Sequence, residues 1–330
     1  MSQSTPEPVR PVEGERFWRA MCVSVWQAVV VDEEVLRLLG IALLAGGHAL
    51  IEDVPGVGKT LLARAFSRAL GMEFSRVQGT PDLLPSDILG ASVLEGGAFR
   101  FIPGPIFANV LLIDEINRAT PRSQSALLEA MEEGHVSIEG MTRDLPDPFF
   151  VLATENPIEL EGTFALPEAQ LDRFLVRIRL GYPGRADEGR IARRYRDSAE
   201  PLDAVTMVAP PDRLLAMREA VRSVDISSPV EEYIVDLVRA TRERPELRLG
   251  SSPRSSMALY RATQARAFLA GRDFALPDDV KALVPAVLGH RILLDIDREL
   301  RGSTVDGVIE AVLGSVAAPP VERAAAQNPA

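Results

Sequence analysis

Residues 48–53 form a short apolar run, and Gly56-Val57-Gly58-Lys59-Thr60 follows it and opens a helical stretch. No other feature of the chain narrows its folding options as far. A strand, a glycine-rich turn and a helix in this order make a phosphate-binding loop: glycines let backbone N–H groups curl around phosphate oxygens, and the helix N-terminus adds a favourable dipole. Pro55, Gly56, Val57, Gly58, Lys59, Thr60 and Leu61 are therefore expected to hold ATP or ADP, with Lys59 on the β and γ phosphates and Thr60 on Mg²⁺. A glycine turn with an incidental lysine is the plainer alternative. Against it, only Lys59 and Lys281 are lysines among 36 basic residues. The loop departs from the usual pattern in one place, where Asp53 stands for the first glycine.

The rest of the chain supplies the sheet such a loop needs. Further apolar runs at 74–77, 110–114, 149–154 and 174–180 are separated by helical stretches such as 123–133. Alternation of this kind predicts an α/β fold with a parallel sheet and helices on both faces, which binds nucleotides at the carboxyl ends of its strands. Two helices between 17 and 46, broken near Val31 and Asp32, should lead into the first strand. Beyond Pro183 the β-branched runs stop. Helical patterns at 186–198, 212–224, 230–243, 254–270 and 277–290 then predict a second, all-helical domain starting near residues 200–211. The expected organisation is a disordered tail over 1–15, an ATPase core over 16–200, a helical lid over 201–316 and a disordered tail over 317–330. A length of 330 residues suits two domains.

Leu111-Leu112-Ile113-Asp114-Glu115 is an apolar strand ending in two carboxylates. Downstream of a phosphate loop, Asp114 is expected to position Mg²⁺ and Glu115 to polarise the attacking water. Asn156, just past the 149–154 run, either orients that water or forms a turn before Pro157. Arg173 either reaches a neighbouring subunit's γ-phosphate as a finger or pairs with Asp172 at the surface. Arg254, at the start of a helix after Ser252 and Pro253, could reach back to the nucleotide. His48, His135 and His290 show no metal-ligand spacing and read as structural or exposed residues.

Composition excludes several classes. Hydrophobic residues at 46% and charged residues at 25% fit a globular chain, and a net charge of −11 opposes a polyphosphate partner unless basic residues cluster. No such cluster is visible. The first 15 residues lack the basic start and apolar run of a signal peptide, and the 35–47 stretch contains Arg37 and is shorter than the ~20 residues that span a bilayer. Cys22 is the only cysteine, so an internal disulfide is impossible and a reducing, cytoplasmic setting is expected.

Taken in order, these motifs resemble the MoxR family of AAA+ ATPases over residues 29–294. Beyond the generic ATPase boxes, the resemblance rests on Gly46-Gly47-His48, on Thr80-Pro81-Asp82-Leu83-Leu84-Pro85-Ser86-Asp87, and on Asp114-Glu115-Ile116-Asn117-Arg118 running into Ala126-Leu127-Leu128-Glu129-Ala130-Met131. It implies an insert after the second helix, about 90–106, and a β-hairpin at about 135–145. Val136-Ser137-Ile138 and Thr142-Arg143-Asp144 around Glu139-Gly140-Met141 also read independently as that hairpin. By the same resemblance Arg173 is a finger acting in trans and Arg254 a sensor in the lid. The chain would form a homo-oligomeric ring, commonly a hexamer, and remodel a client with a von Willebrand factor A domain protein as adaptor. A nucleic-acid motor and a metal-chelatase motor subunit are the alternatives. Val31-Asp32 departs from the Gly-Gln that relatives usually carry beside the adenine site.

Overall fold

A computed structural model describes residues 9–52, 56–156, 163–196 and 200–320 of the chain. Its elements run α1 (Pro11–Ala28), α2 (Glu33–Leu44), β1 (Ala49–Glu52), α3 (Lys59–Ala69), β2 (Phe74–Gln78), α4 (Pro85–Leu89), β3 (Gly90–Glu95), β4 (Ala98–Pro103), β5 (Val110–Asp114), α5 (Pro121–Glu133), β6 (His135–Ile138), β7 (Met141–Asp144), β8 (Phe150–Glu155), α6 (Glu168–Leu171) and β9 (Val176–Ile178). The second half follows as α7 (Arg185–Arg196), α8 (Pro211–Arg222), α9 (Ser228–Arg242), β10 (Leu247–Leu249), α10 (Pro253–Leu269), α11 (Pro277–Leu288), β11 (Leu293–Leu294), α12 (Ile296–Leu300) and α13 (Val305–Ser315).

The strands β2, β5, β8, β1 and β9 lie in that order and pair in parallel throughout. Every residue of β5 is buried, as a central parallel strand covered on both faces requires. Alternation along the strands splits the core in two. Ala49, Ile51, Leu112, Leu152 and Val176 face α1, α2, α3 and the helices of the second half, whereas Leu50, Leu111, Ile113, Val151 and Ala153 face Leu127, Leu128 and Met131 of α5. The insert is the antiparallel β3/β4 pair and the second hairpin is β6/β7.

Several boundaries differ from expectation. Residues 11–15 are helical rather than tail: Pro11 takes the first helical position, where its missing N–H costs nothing, and Gly14 packs so close to Phe268 that a Cβ would lie 2.3 Å from its carbonyl oxygen. Residues 1–8 lie outside the described ones. The lid starts later than residue 201, because residues 201–204 pack on α1 and α3 and the Val208 N–H donates to the Ala69 carbonyl at 2.7 Å. It is also not purely helical, since β10 and β11 pair antiparallel. At the other end Ala318 still packs against the main core, so a tail boundary at 317 falls too early; residues 321–330 lie outside the described ones.

The lid shares its core with the ATPase domain. Phe268, Leu269 and Val287 belong to the same buried cluster as Trp18 and Leu36. α10 contacts both α1 and α2, and α11 contacts β9. Burial of these apolar side chains, at roughly 25 cal/mol per Å² removed from water, stabilises the docking of the lid. Among the described residues no helix is long and apolar enough to cross a membrane.

Candidate functional site

The sheet's carboxyl edge gathers the phosphate loop and both carboxylates. β1 ends at Glu52, and after residues 53–55, which lie outside the described ones together with the expected Asp53 and Pro55, the loop resumes at Gly56. Gly56 has φ +87 and Gly58 φ +85, and a Cβ added at either would meet nothing within 4 Å. The loop is thus held in the left-handed region that glycine tolerates, around open space. Gly58 caps α3, whose first i→i−4 bond is Leu62 N–H to Gly58 carbonyl at 2.9 Å. The N–H groups of Lys59, Thr60 and Leu61 therefore have no intrahelical acceptor. This cradle fits the phosphates of a nucleotide.

β5 lies two strands from β1, with β8 between them, and delivers Asp114 and Glu115 to the same edge. Asp114 is buried. Its Oδ2 accepts from Arg76 Nε at 2.6 Å and its Oδ1 from the Thr154 hydroxyl at 3.3 Å. Glu115 adopts φ +54, a left-handed conformation that a non-glycine residue takes only under restraint. Three restraints are visible. Its N–H donates to Thr154 Oγ1 at 2.9 Å. Its carboxylate accepts from Gln78 Nε2 at 2.9 Å and pairs with Arg118 Nε at 3.3 Å. Its carbonyl sits against Gly79, where a Cβ would approach it to 2.2 Å. Asn156, at the end of β8 beside β1 and β5, is buried at the same edge.

Thr154, Arg76, Gln78 and Gly79 were not singled out in the sequence. A hydroxyl at the end of the otherwise apolar Phe150-Val151-Leu152-Ala153 run was the one available signal for Thr154; the others act through a strand neighbour that only sheet order supplies. Asp32 caps α2 by accepting from Glu34 N–H at 2.7 Å, and the Val31 carbonyl accepts from Trp26 Nε1 at 3.0 Å, so this pair has a local structural role.

Arg173 and Arg254 sit elsewhere. His48, just before β1, contacts the Met131 carbonyl of α5 through Nε2 at 3.1 Å and accepts from the Val151 N–H through Nδ1 at 3.0 Å. Burial pushes its imidazole down to about 4, so it is neutral and Nε2 carries the proton. This staple fixes the C-terminal end of α5 at the amino edge of the sheet. Arg173 pairs there with Glu132 at 2.9 Å, not with Asp172, and also donates to the Leu128 carbonyl. Arg254 Nη2 lies 3.7 Å from the same Glu132. β1 has four residues, about 13 Å of strand, and separates this edge from its own phosphate loop. The helix start that carries Arg254, expected to reach the nucleotide, therefore lies at the edge opposite its own chain's phosphate loop.

Comparison with known proteins identifies the family. The profile of the ATPase family associated with various cellular activities (AAA) matches residues 48–176, and that of the AAA lid domain matches residues 239–311. The chain is 42% identical over 308 residues to Chaperone MoxR1 of Mycobacterium tuberculosis, covering 90% of this chain and 81% of that one. It belongs to the MoxR family of AAA+ ATPases. The MoxR protein of Methylorubrum extorquens is 36% identical, covering 89% of this chain and 92% of its own length. YeaC of Bacillus subtilis, an uncharacterized protein, is 44% identical over 90% of this chain and 93% of its own. Among solved structures, a Cytophaga hutchinsonii protein assigned as an ATPase superposes with a TM-score of 0.88 at 36% identity, covering 94% of this chain and 97% of that one. As a MoxR-family member the protein binds nucleotide and hydrolyses ATP.

Proposed function

We propose that this MoxR-family ATPase works as a homo-oligomeric ring, a hexamer by family resemblance, in which each ATP site is shared between two subunits. Lys59, Thr60, Asp114, Glu115 and Asn156 come from one subunit, and Arg173 and Arg254 from its neighbour. The placement of both arginines at the sheet edge opposite their own phosphate loop is the observation that carries the reading. In it, Lys59 and the loop N–H groups bind the polyphosphate, and Thr60 and Asp114 would hold Mg²⁺, which would neutralise charge on the phosphate oxygens. Glu115, aimed by Thr154 and Gln78, takes the proton of the attacking water, and Asn156 orients that water. The neighbour's arginines stabilise developing charge, worth on the order of 10³-fold or more in rate.

Turnover would drive remodelling or assembly of a partner protein in the cytoplasm, with a von Willebrand factor A domain protein as adaptor. The chaperone designation of MoxR1 supports this reading, and the net charge of −11 disfavours the nucleic-acid motor. The test mixes two inactive variants. Arg173→Ala subunits keep the phosphate loop and Lys59→Ala subunits keep the arginine, so a mixture should recover a fraction of parental turnover. A mixture as dead as its components would refute the shared site. Glu115→Gln rings held with ATP should retain a protein partner that ADP-bound rings release; retention of DNA or RNA instead would favour the motor.

A further inference from the structure

The segment that carries Arg173 is gripped from the lid. Arg291, three residues past the end of α11, has a side chain only 3% exposed. Its Nε donates to Asp172 Oδ1 at 2.7 Å, and its Nη2 to the Phe174 carbonyl at 2.7 Å and the Asp172 carbonyl at 3.3 Å. Its Nη1 donates to the Leu175 carbonyl at 3.2 Å and to the Val287 carbonyl near the end of α11. Neighbouring His290, buried and held neutral by that burial, donates from Nε2 to the Phe174 carbonyl at 2.9 Å. Ser252, at the start of α10, adds a contact to Asp172 Oδ2 at 3.4 Å. The residues on both sides of Arg173 are thus pinned by side chains of the lid, alongside backbone bonds within the ATPase domain such as Leu175 N–H to the His48 carbonyl at 2.8 Å.

Burying a guanidinium is costly unless its donors are satisfied, and here three of its five bonds go to main-chain carbonyls of residues 172–175, the others to the Asp172 carboxylate and the Val287 carbonyl. Spreading the fork over the carbonyls of Asp172, Phe174 and Leu175, on both sides of Arg173, fixes the path of that segment, and with it the point from which the Arg173 side chain leaves the sheet edge. We infer that Arg291 is the positioning residue for Arg173, so that the lid of one subunit sets the aim of the arginine it presents to its neighbour's nucleotide. This rests on the reading of Arg173 as a group that acts in trans.

The test uses the full chain and Arg291→Lys, which keeps the charge and loses the fork. A displaced finger should lower ATP turnover on the order of 100-fold, the cost of about 1 Å of misplacement, with the nucleotide affinity of the variant's own loop unchanged. Mixing with Lys59→Ala subunits, whose Arg291 and Arg173 are intact, should restore turnover. Adding Arg173→Ala to Arg291→Lys should take turnover no lower than Arg173→Ala alone. Parental turnover in Arg291→Lys overturns the inference, as does a loss that mixing does not restore while the Arg173→Ala and Lys59→Ala pair does complement. If that control pair fails, the trans reading of Arg173 is what falls. Asp172→Asn removes the carboxylate partner at constant size and should reproduce the pattern. If both variants lose their circular-dichroism signal and cooperative unfolding, the clamp is structural and the inference is wrong.

Discussion

Thr154→Val offers a sharp check on how Glu115 is aimed. The substitution keeps the shape of a side chain only 2% exposed and removes one hydroxyl. Two bonds go with it, the one accepted from the Glu115 N–H at 2.9 Å and the one donated to Asp114 Oδ1 at 3.3 Å. Leaving a buried N–H without an acceptor costs about 1–3 kcal/mol, and the φ +54 backbone of Glu115 loses a restraint against relaxing out of the left-handed region. At about 1.36 kcal/mol per factor of ten, the same energy spent on misaiming the carboxylate lowers turnover by about 5- to 150-fold. Urea unfolding followed by circular dichroism reads the first quantity. Steady-state phosphate release reads the second, and equilibrium nucleotide binding should be unchanged because the phosphate loop is untouched. Thr154→Ser should lie close to the parent. A Thr154→Val protein within 0.5 kcal/mol (about the scatter of neutral surface changes) and twofold of parental turnover would refute the role assigned to this hydroxyl.

Gly79→Ala should destabilise by about 1–3 kcal/mol and reduce turnover, since its Cβ would fall 2.2 Å from the Glu115 carbonyl oxygen and neither backbone can yield cheaply; parental unfolding midpoints would contradict that close approach. Gly58→Ala places a Cβ on a backbone at φ +85, a strain of about 1–2 kcal/mol, and nucleotide affinity measured by calorimetry should drop about 5- to 30-fold. His48 makes stability depend on pH. The unfolded chain takes up a proton below the usual 6.5, whereas the native imidazole refuses it until about 4, so stability is present at neutral pH and lost as pH falls through that window. Between pH 7 and pH 5 the loss from this residue should be about 2 kcal/mol, and His48→Gln should shrink the measured pH difference by about that amount. Buried His290 acts with the same sign.

Much of the site was legible in the residues. The glycine loop opening α3 and the carboxylates ending β5 are local patterns, set by glycine's freedom, by strand alternation and by the reach of one helical turn. Helix starts were harder to place: the shift of α1 back to Pro11 follows from a proline that reads equally well as a tail residue. The two readings of Arg173 could not be separated within the sequence, because its partner Glu132 is 41 positions away and is joined to it only by the sheet.

The sequence by itself determined the phosphate loop, the parallel α/β core, the helical second half and the acidic pair, since each is specified by neighbours within about fifteen residues. The tertiary structure decided which strands are adjacent, which edge of the sheet receives Arg173 and Arg254, and which groups hold Glu115 and residues 172–175 in place. Those contacts join positions 39 to 119 residues apart, across Thr154 to Glu115 and Arg291 to Asp172. Their formation depends on strand order and on where the lid docks, and both follow from packing of the whole chain rather than from any local run.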